Sequence, residues 1–439
     1  MKRLLAPLVL GASLSALALV TLAAIALAAS GVLVTRAGAW TTRVSVAPHL
    51  ALDVNVAGLL RLATSPPGLR VLDGRSRDTA LGRLHFQRAD RALIVRCAPC
   101  AVNDRRLHTQ PLTLDAVELR LTQRDAATVD GRIISGSVQV PFTAGLRTDG
   151  IEVEWSLAPT EIAALYRVLD HAIPEAALAS IGGRLQARGT LKLPSAVAST
   201  RVAIDGFAVG GLGTERLQHG AFEFACHGDG VPRTQLTGEG QRAWLPADRL
   251  GADLPAAVLA AEDQRFDSHA GFDAEEIGHA LVRTTADGPA RGASTITQQL
   301  ARMLFTGADR TGVRKLRELL YAVEMERTLG KARILELYLN TIDWGPGICG
   351  ARAAARSYFD KTPSRLTALE AAWLASILRQ PHAAYERQFL ARAPRVERAQ
   401  QVLAQMRGVS RRNRAKAAQS PLVFAPAPAA VVHARVAAR

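Results

Sequence analysis

From Leu4 to Thr35 the chain carries no charged side chain, a run of 32 residues between Arg3 and Arg36. About 20 apolar residues are enough to cross a bilayer as a helix. A secretory leader has a shorter apolar core, about 7–15 residues, and a small-residue cleavage site. The length therefore predicts a cytoplasmic start and an uncleaved transmembrane anchor over residues 1–36, although Ala28-Ala29-Ser30 leaves cleavage open. A buried core helix fits that length poorly. Lys2, Arg3 and the terminal amine favour a cytoplasmic N-terminus with the rest of the chain outside. Arg36 and Arg43 weaken that orientation without reversing it.

The rest of the chain must supply more than one domain, since 439 residues exceed the usual size of one. With 48% hydrophobic residues, wholesale disorder is excluded. A formal charge of +15 suits anionic membrane, phosphate-bearing substrates or nucleic acid. Aromatics at 5% argue against a stacking platform for single-stranded nucleic acid. Four cysteines exclude a disulfide-dense scaffold.

Residues 37–245 read as a β-rich extracytoplasmic domain. Short alternating runs recur, among them Ala92–Val95, Ala116–Leu121, Gly136–Val140, Ile151–Trp155 and Arg201–Ile204, punctuated by Gly, Asp, Asn and Pro. One helix is expected at Thr160–Leu169, with Pro159-Thr160 at its start. Cys97-Ala-Pro-Cys100 has no βαβ context and no second ligand pair, which favours a local disulfide over a redox or zinc site. Cys226 and Cys349 have no evident partners. The strand texture and the stretch Gly183–Gly189 loosely resemble the periplasmic β-sheet segments of AsmA-like proteins. No chemistry can be tied to this block.

Near residue 246 helical periodicity takes over. Asp253 before Leu254-Pro255 reads as a cap with Pro in the first turn. Further helices are expected at Thr295–Leu304, Val313–Leu329, Ala332–Leu339, Ala351–Tyr358 and Ala368–Leu378, the last opened by a Thr367/Glu370 capping box. Residues 246–410 are thus expected to be a mostly α domain, and 411–439 a basic, disordered tail. The stretch 391–439 holds ten Lys or Arg and one acidic residue, Glu397. It reads as a solvated tail or as a contact for anionic glycan or lipid headgroups.

Several polar residues exceed what these helices need. Glu262-Asp263 end the first, followed by Phe266, His269 and Gly271. Gly292–Gln299 turns into a helix rich in hydroxyls and amides. Arg310, Arg314, Lys315 and Glu318 could share a cationic face carrying one carboxylate, which suits a phosphate-bearing substrate and proton handling. Each has a plainer reading. Arg314–Glu318 is an ordinary i,i+4 pair, Glu262 a surface residue, and His269 a structural histidine.

Their order is more specific. Glu262–Gly271 fits EDxxFxxHxG, Gly292–Gln299 fits GxSTITQQ, and Arg314–Glu318 fits RKxxE. Lys331–Asn340 fits KxxILExYLN, and Arg398–Leu403 fits RxxxVL. These five motifs, in this order, resemble the peptidoglycan glycosyltransferases of family 51, over about residues 250–410. Asp343–Gly347 is most similar to the monofunctional, biosynthetic branch, and the short stretch after Ser410 leaves no room for a transpeptidase domain.

The resemblance implies a lysozyme-like α fold with a groove beside the membrane, in a single-pass protein of the bacterial inner membrane with its catalytic domain in the periplasm. It implies polymerisation of lipid II into β-1,4 glycan strands. The acceptor 4-hydroxyl attacks the anomeric carbon of the growing chain with inversion, and undecaprenyl pyrophosphate leaves. By motif position Glu262 is the general base and Glu318 the second carboxylate, near the pyrophosphate. Ser294, Gln298 and Gln299 line the groove, while Arg302, Arg310, Arg314 and Lys315 meet the donor phosphates. Arg302-Met303 stands where the family usually has Lys-Asn, which keeps the charge but not the compact ammonium. No cofactor is required; Mg2+ or Mn2+ between Glu318 and pyrophosphate would serve the leaving group. Implied partners are lipid II, the glycan strand, the membrane and other cell-wall synthases, and no nucleic acid. Two rivals are a lytic transglycosylase, which would have no pyrophosphate to hold, and a catalytically weakened scaffold binding envelope lipid or a partner.

Overall fold

The computed structural model describes residues 33–426 apart from 37–38, 48–49, 106, 148, 196, 228–231, 274–293, 308 and 310. The expected anchor lies outside the described residues save Leu33–Arg36, which is a strand rather than the end of a helix. No helix among the described residues is long and apolar enough to cross a membrane. The protein is multidomain, and the chain divides into two compact units. Of the described residues, the first unit holds those up to Leu212 and those from Asp309 to Arg317. The second holds Gly213–Asp273, Ser294–Gly307 and the chain from Glu318 onward.

The first unit is β-rich. Strands β1 (Leu33–Arg36), β2 (Ala39–Ala47) and β3 (Leu50–Asn55) form a small antiparallel sheet. Two helices follow that the sequence reading did not anticipate, α1 (Val56–Thr64) and α2 (Pro66–Leu72). Their start signals are nonetheless present. The Asn55 side chain accepts from Gly58 N at 3.1 Å, and Ser65 accepts from Gly68 N ahead of a Pro-Pro first turn. The helices turn so sharply that a Cβ on Gly68 would lie 1.9 Å from the Leu62 carbonyl oxygen.

The strands continue as β4 (Ser76–Thr79), β5 (Gly82–Ala89), β6 (Ala92–Cys97), β7 (Cys100–Val102), β8 (Leu112–Leu114), β9 (Val117–Gln123), β10 (Thr128–Ser135), β11 (Val138–Leu146), β12 (Ile151–Glu161), β13 (Ser180–Leu193) and β14 (Val197–Gly210). Nine of them make one antiparallel sheet in the order β14-β13-β12-β11-β10-β9-β6-β5-β4, while β7 and β8 pair separately. Alternation sets the two faces. Val138, Val140, Phe142, Ala144 and Leu146 of β11 are buried, as are Ile151, Val153, Trp155 and Leu157 of β12. Helix α1 packs over β6, β9 and β11, and α2 over β5. Pro159-Thr160, expected to open a helix, still belongs to β12, and α3 begins only at Ile162 (Ile162–Arg167), where four apolar residues are buried. A short α4 (Glu175–Leu178) follows. Cys97 and Cys100 are joined as a disulfide.

The second unit is mostly helical, with one antiparallel hairpin of β15 (Ala221–His227) and β16 (Pro232–Gly238). Its helices are α5 (Asp253–Glu262), α6 (Ile296–Ala301), the part of α7 (Gly312–Thr328) from Glu318, α8 (Gly330–Thr341), α9 (Ala351–Phe359), α10 (Ala368–Ile377), α11 (Pro381–Ala384), α12 (Val396–Gln405) and α13 (Arg411–Ala418). A π-helical turn, Arg302–Thr306, extends α6. Asp253 is the first helical residue rather than the cap, which is Ala252. The Thr367/Glu370 capping box forms.

Two expectations need correction here. Cys226 and Cys349 are joined to each other across 123 residues, tying the hairpin to the loop after α8. The region 411–439 is ordered at its start: Ser410 caps α13, and Phe424, 6% exposed, enters the aromatic core. Its ring lies 4.8 Å from Trp373 and 5.5 Å from Phe389. Arg392 donates to the carbonyls of Phe424 and Ala425 at 2.7 and 2.5 Å, fixing the backbone that follows α13.

Candidate active site

The site is built around the C-terminal end of α5. Glu262 is the last residue of that helix and is half-buried. Gln299, on α6, donates from Nε2 to Glu262 Oε2 at 3.0 Å. Tyr338, on α8 and fully buried, donates its hydroxyl to Gln299 Oε1 at 2.9 Å. The amide is therefore oriented from both ends, because a flipped amide would set its oxygen against the carboxylate. Burial and the neighbouring Glu262 charge push the Tyr338 hydroxyl well above its ordinary range, which keeps it a donor.

Burial also raises the Glu262 carboxyl above the ordinary carboxylate range. Opposing that are the Gln299 hydrogen bond and the positive charges of Arg379, Arg398 and Arg302, in that order. A carboxylate so placed is more basic than one in water yet held by cations in its ionised form, the combination a general base needs.

Asp263, adjacent in sequence, does different work. It is 8% exposed, and both its oxygens lie 3.0 Å from His269 Nε2. Asp263 Oδ2 also accepts from Ile296 N at 2.9 Å, at the first turn of α6, where an acceptor and a negative charge are both favourable. His269 Nδ1 accepts from Gly271 N, and Lys331 Nζ donates to the His269 carbonyl at 2.7 Å and to Glu326 at 2.8 Å. Thr297 adds a 2.6 Å bond to Glu326. The motif glycine is dictated by space: Gly271 has φ +89°, and a Cβ there would sit 2.8 Å from the Ala322 carbonyl oxygen.

Gln298, expected in the groove, is 2% exposed, and its side chain closes a capping box with Thr295. Ser294 is half-buried, with its carbonyl 3.5 Å from Gln299 Nε2. Arg302 is exposed and acts on Glu262 through its charge. Glu318 is 2% exposed. Arg314 and Lys315 fall in the first unit and Glu318 in the second, while Arg310 lies outside the described residues. Arg317, within the third motif, forks onto the buried Glu175 at 2.6 and 2.9 Å inside the first unit. Among the described residues no three His, Cys, Asp or Glu side chains converge as a metal cluster.

Sequence reasoning gave no role to Tyr338, Arg379 or Arg398. Tyr338 and Arg398 stand in recognised motifs, whereas nothing in the sequence marks Arg379. The fourth motif's Asn340 is structural: its Oδ1 accepts from Leu245 N at 2.9 Å, and its Nδ2 donates to the Leu245 carbonyl at 2.8 Å.

The family model described as Transglycosylase matches residues 229–407. A biosynthetic peptidoglycan transglycosylase of Aeromonas hydrophila is 48% identical over 138 residues, 31% of this chain and 59% of that protein. One from Alcanivorax borkumensis is 44% identical over 168 residues, 38% of this chain and 67% of that protein. One from Shewanella amazonensis is 46% identical over 138 residues, 31% of this chain and 56% of that protein. The match thus spans between about half and two thirds of these relatives' lengths. With the five motifs and these matches together, the chain belongs to the transglycosylase family, the peptidoglycan glycosyltransferases of family 51.

Proposed function

We propose that this protein polymerises lipid II into β-1,4 glycan strands with release of undecaprenyl pyrophosphate. The observation that carries the reading is the chain Tyr338–Gln299–Glu262, which presents a half-buried carboxylate to three guanidinium groups. Glu262 is the general base. A sugar hydroxyl is a poor nucleophile until its proton is taken during attack. Gln299 already donates to Oε2, so Oε1 is the oxygen assigned to take the proton. The 4-oxygen then bonds to the anomeric carbon as the bond to pyrophosphate breaks on the opposite face, so the α-linked donor becomes a β link.

The leaving pyrophosphate gathers negative charge that guanidinium groups stabilise well. Arg302, Arg310, Arg314 and Lys315 are assigned to that task, with Glu318 as the second carboxylate. One buried carboxylate is no cation cage, and no step here runs through a metal. The apolar run from Leu4 that precedes β1 would hold the enzyme at the membrane, where the substrate's lipid tail confines it, with the catalytic unit on the periplasmic side. The test is purified full-length protein with lipid II, read by gel for glycan polymer. Polymer supports the reading. Binding without polymer, or cleavage of preformed glycan instead, refutes it.

A further inference from the structure

The apolar face of the nine-stranded sheet does not close fully onto its helices. Between that face and α1 and α2 lies a cavity of about 550 Å³, inside the roughly 300–1,000 Å³ range of small-molecule sites. Its floor runs from Leu191 on β13 through Val153, Ala144 and Leu121 to Leu93 and Phe86 on β5. β13 and β5 stand six strand spacings apart, so the floor spans about 29 Å at ~4.8 Å per spacing. A volume this small spread over that length suits a chain rather than a ring system. Left empty, the walls would forgo dispersion contacts over most of their surface.

The lining is apolar except at one end, where Arg75, Ser76 and Arg77 stand together at the edge strand β4. The way in is apolar too: Leu62 on α1 and Val71 on α2, both lining the cavity, are 60% and 56% exposed. A hydrophobic channel with two guanidinium groups at its rim matches an amphiphile with a long tail and an anionic head. Guanidinium pairs with phosphate in a bidentate way that an ammonium cannot reproduce.

We infer that this cavity binds one hydrocarbon chain of an anionic phospholipid, the chain lying across the sheet and the phosphate held at Arg75 and Arg77. The site belongs to the first unit and is independent of the chemistry at Glu262.

Photo-crosslinking of the full-length protein in mixed micelles tests it, using phosphatidylglycerol with a diazirine midway along one acyl chain. Adducts are expected on the peptides bearing Leu93, Val95, Phe142 and Ala144. Ala144→Trp fills the floor and should cut those adducts about tenfold or more, the effect of losing two buried methylene contacts. The exposed double variant Arg75→Glu/Arg77→Glu should lose phosphatidylglycerol adducts but keep those of a matched phosphatidylcholine probe. That variant decides the matter if Ala144→Trp does not fold. Adducts confined to residues 4–35, or adducts unchanged in both variants, overturn the inference. Equal capture of phosphatidylcholine and phosphatidylglycerol by the parent protein overturns the anionic assignment.

Discussion

Glu262→Gln separates proton acceptance from everything else the side chain does. The amide keeps the size and polarity of the carboxyl, and its oxygen can still accept from Gln299 Nε2, now 3.0 Å from Oε2. What disappears is the capacity to take a proton and the negative charge facing Arg302, Arg379 and Arg398. Loss of a general base typically costs about 10²–10⁴ in rate, or about 3–5 kcal/mol of transition-state stabilisation. Folding should respond in the opposite sense. Burial raises the native carboxyl above its unfolded value, so its contribution to stability is full below the unfolded carboxylate range and is lost as pH rises through the native value. Glu262→Gln should therefore be at least as stable as the parent at pH 8, with that advantage vanishing at pH 4. The assays are lipid II polymerisation, a lipid II binding titration on the same preparation, and urea denaturation at both pH values. Near-normal polymerisation by the folded variant would remove Glu262 from the mechanism and make Glu318 the next candidate. An advantage that grows on acidification would refute the desolvated carboxyl.

Gly271→Ala forces a side chain onto a backbone at φ +89° against the Ala322 carbonyl; a loss of about 1–3 kcal/mol is expected in chemical denaturation, with polymerisation falling alongside. Cys226→Ser opens a link spanning 123 residues, and by the chain-entropy relation it should cost up to about 4–5 kcal/mol, read as a lower urea midpoint that reductant shifts further only through the short Cys97–Cys100 loop. Phe424→Ala should cost about 3–5 kcal/mol and make the chain beyond α13 sensitive to protease, whereas a tail lying free of the core would show neither change.

The helices and strands that sequence made visible are those whose apolar residues repeat at 3.6 or 2. Helix α9 and strands β11 and β12 are of that kind, whereas α10 is apolar almost all round and is marked by its Thr367/Glu370 capping box. What escaped has a physical reason in each case. Val56–Thr64 repeats its apolar residues at the helical period and is capped at Asn55, but it is only nine residues long and is masked by the strand texture on both sides. The Cys226–Cys349 link is a tertiary event with no local trace. The stretch after α13 is ordered by one aromatic ring in an Ala/Pro-rich context and by a remote arginine. At the site, motif letters located Glu262, Gln299 and Tyr338 but did not say who binds whom. They suggested a shared groove role for Gln298 and Gln299, whereas Gln298 caps its own helix and Gln299 holds the carboxylate. Adjacent residues on a helix point about 100° apart, so one can cap while its neighbour faces the site.

The bond from Ile296 N to Asp263 has a consequence for how such a protein can be altered. It joins residues 33 positions apart and sets where α6 begins relative to the end of α5. Gln299 then meets Glu262 through that junction, whatever length of chain connects the two motifs. A protein engineer could shorten, lengthen or replace sequence between them and keep the reactive pair in register. Moving Asp263 by a single position would not be forgiven.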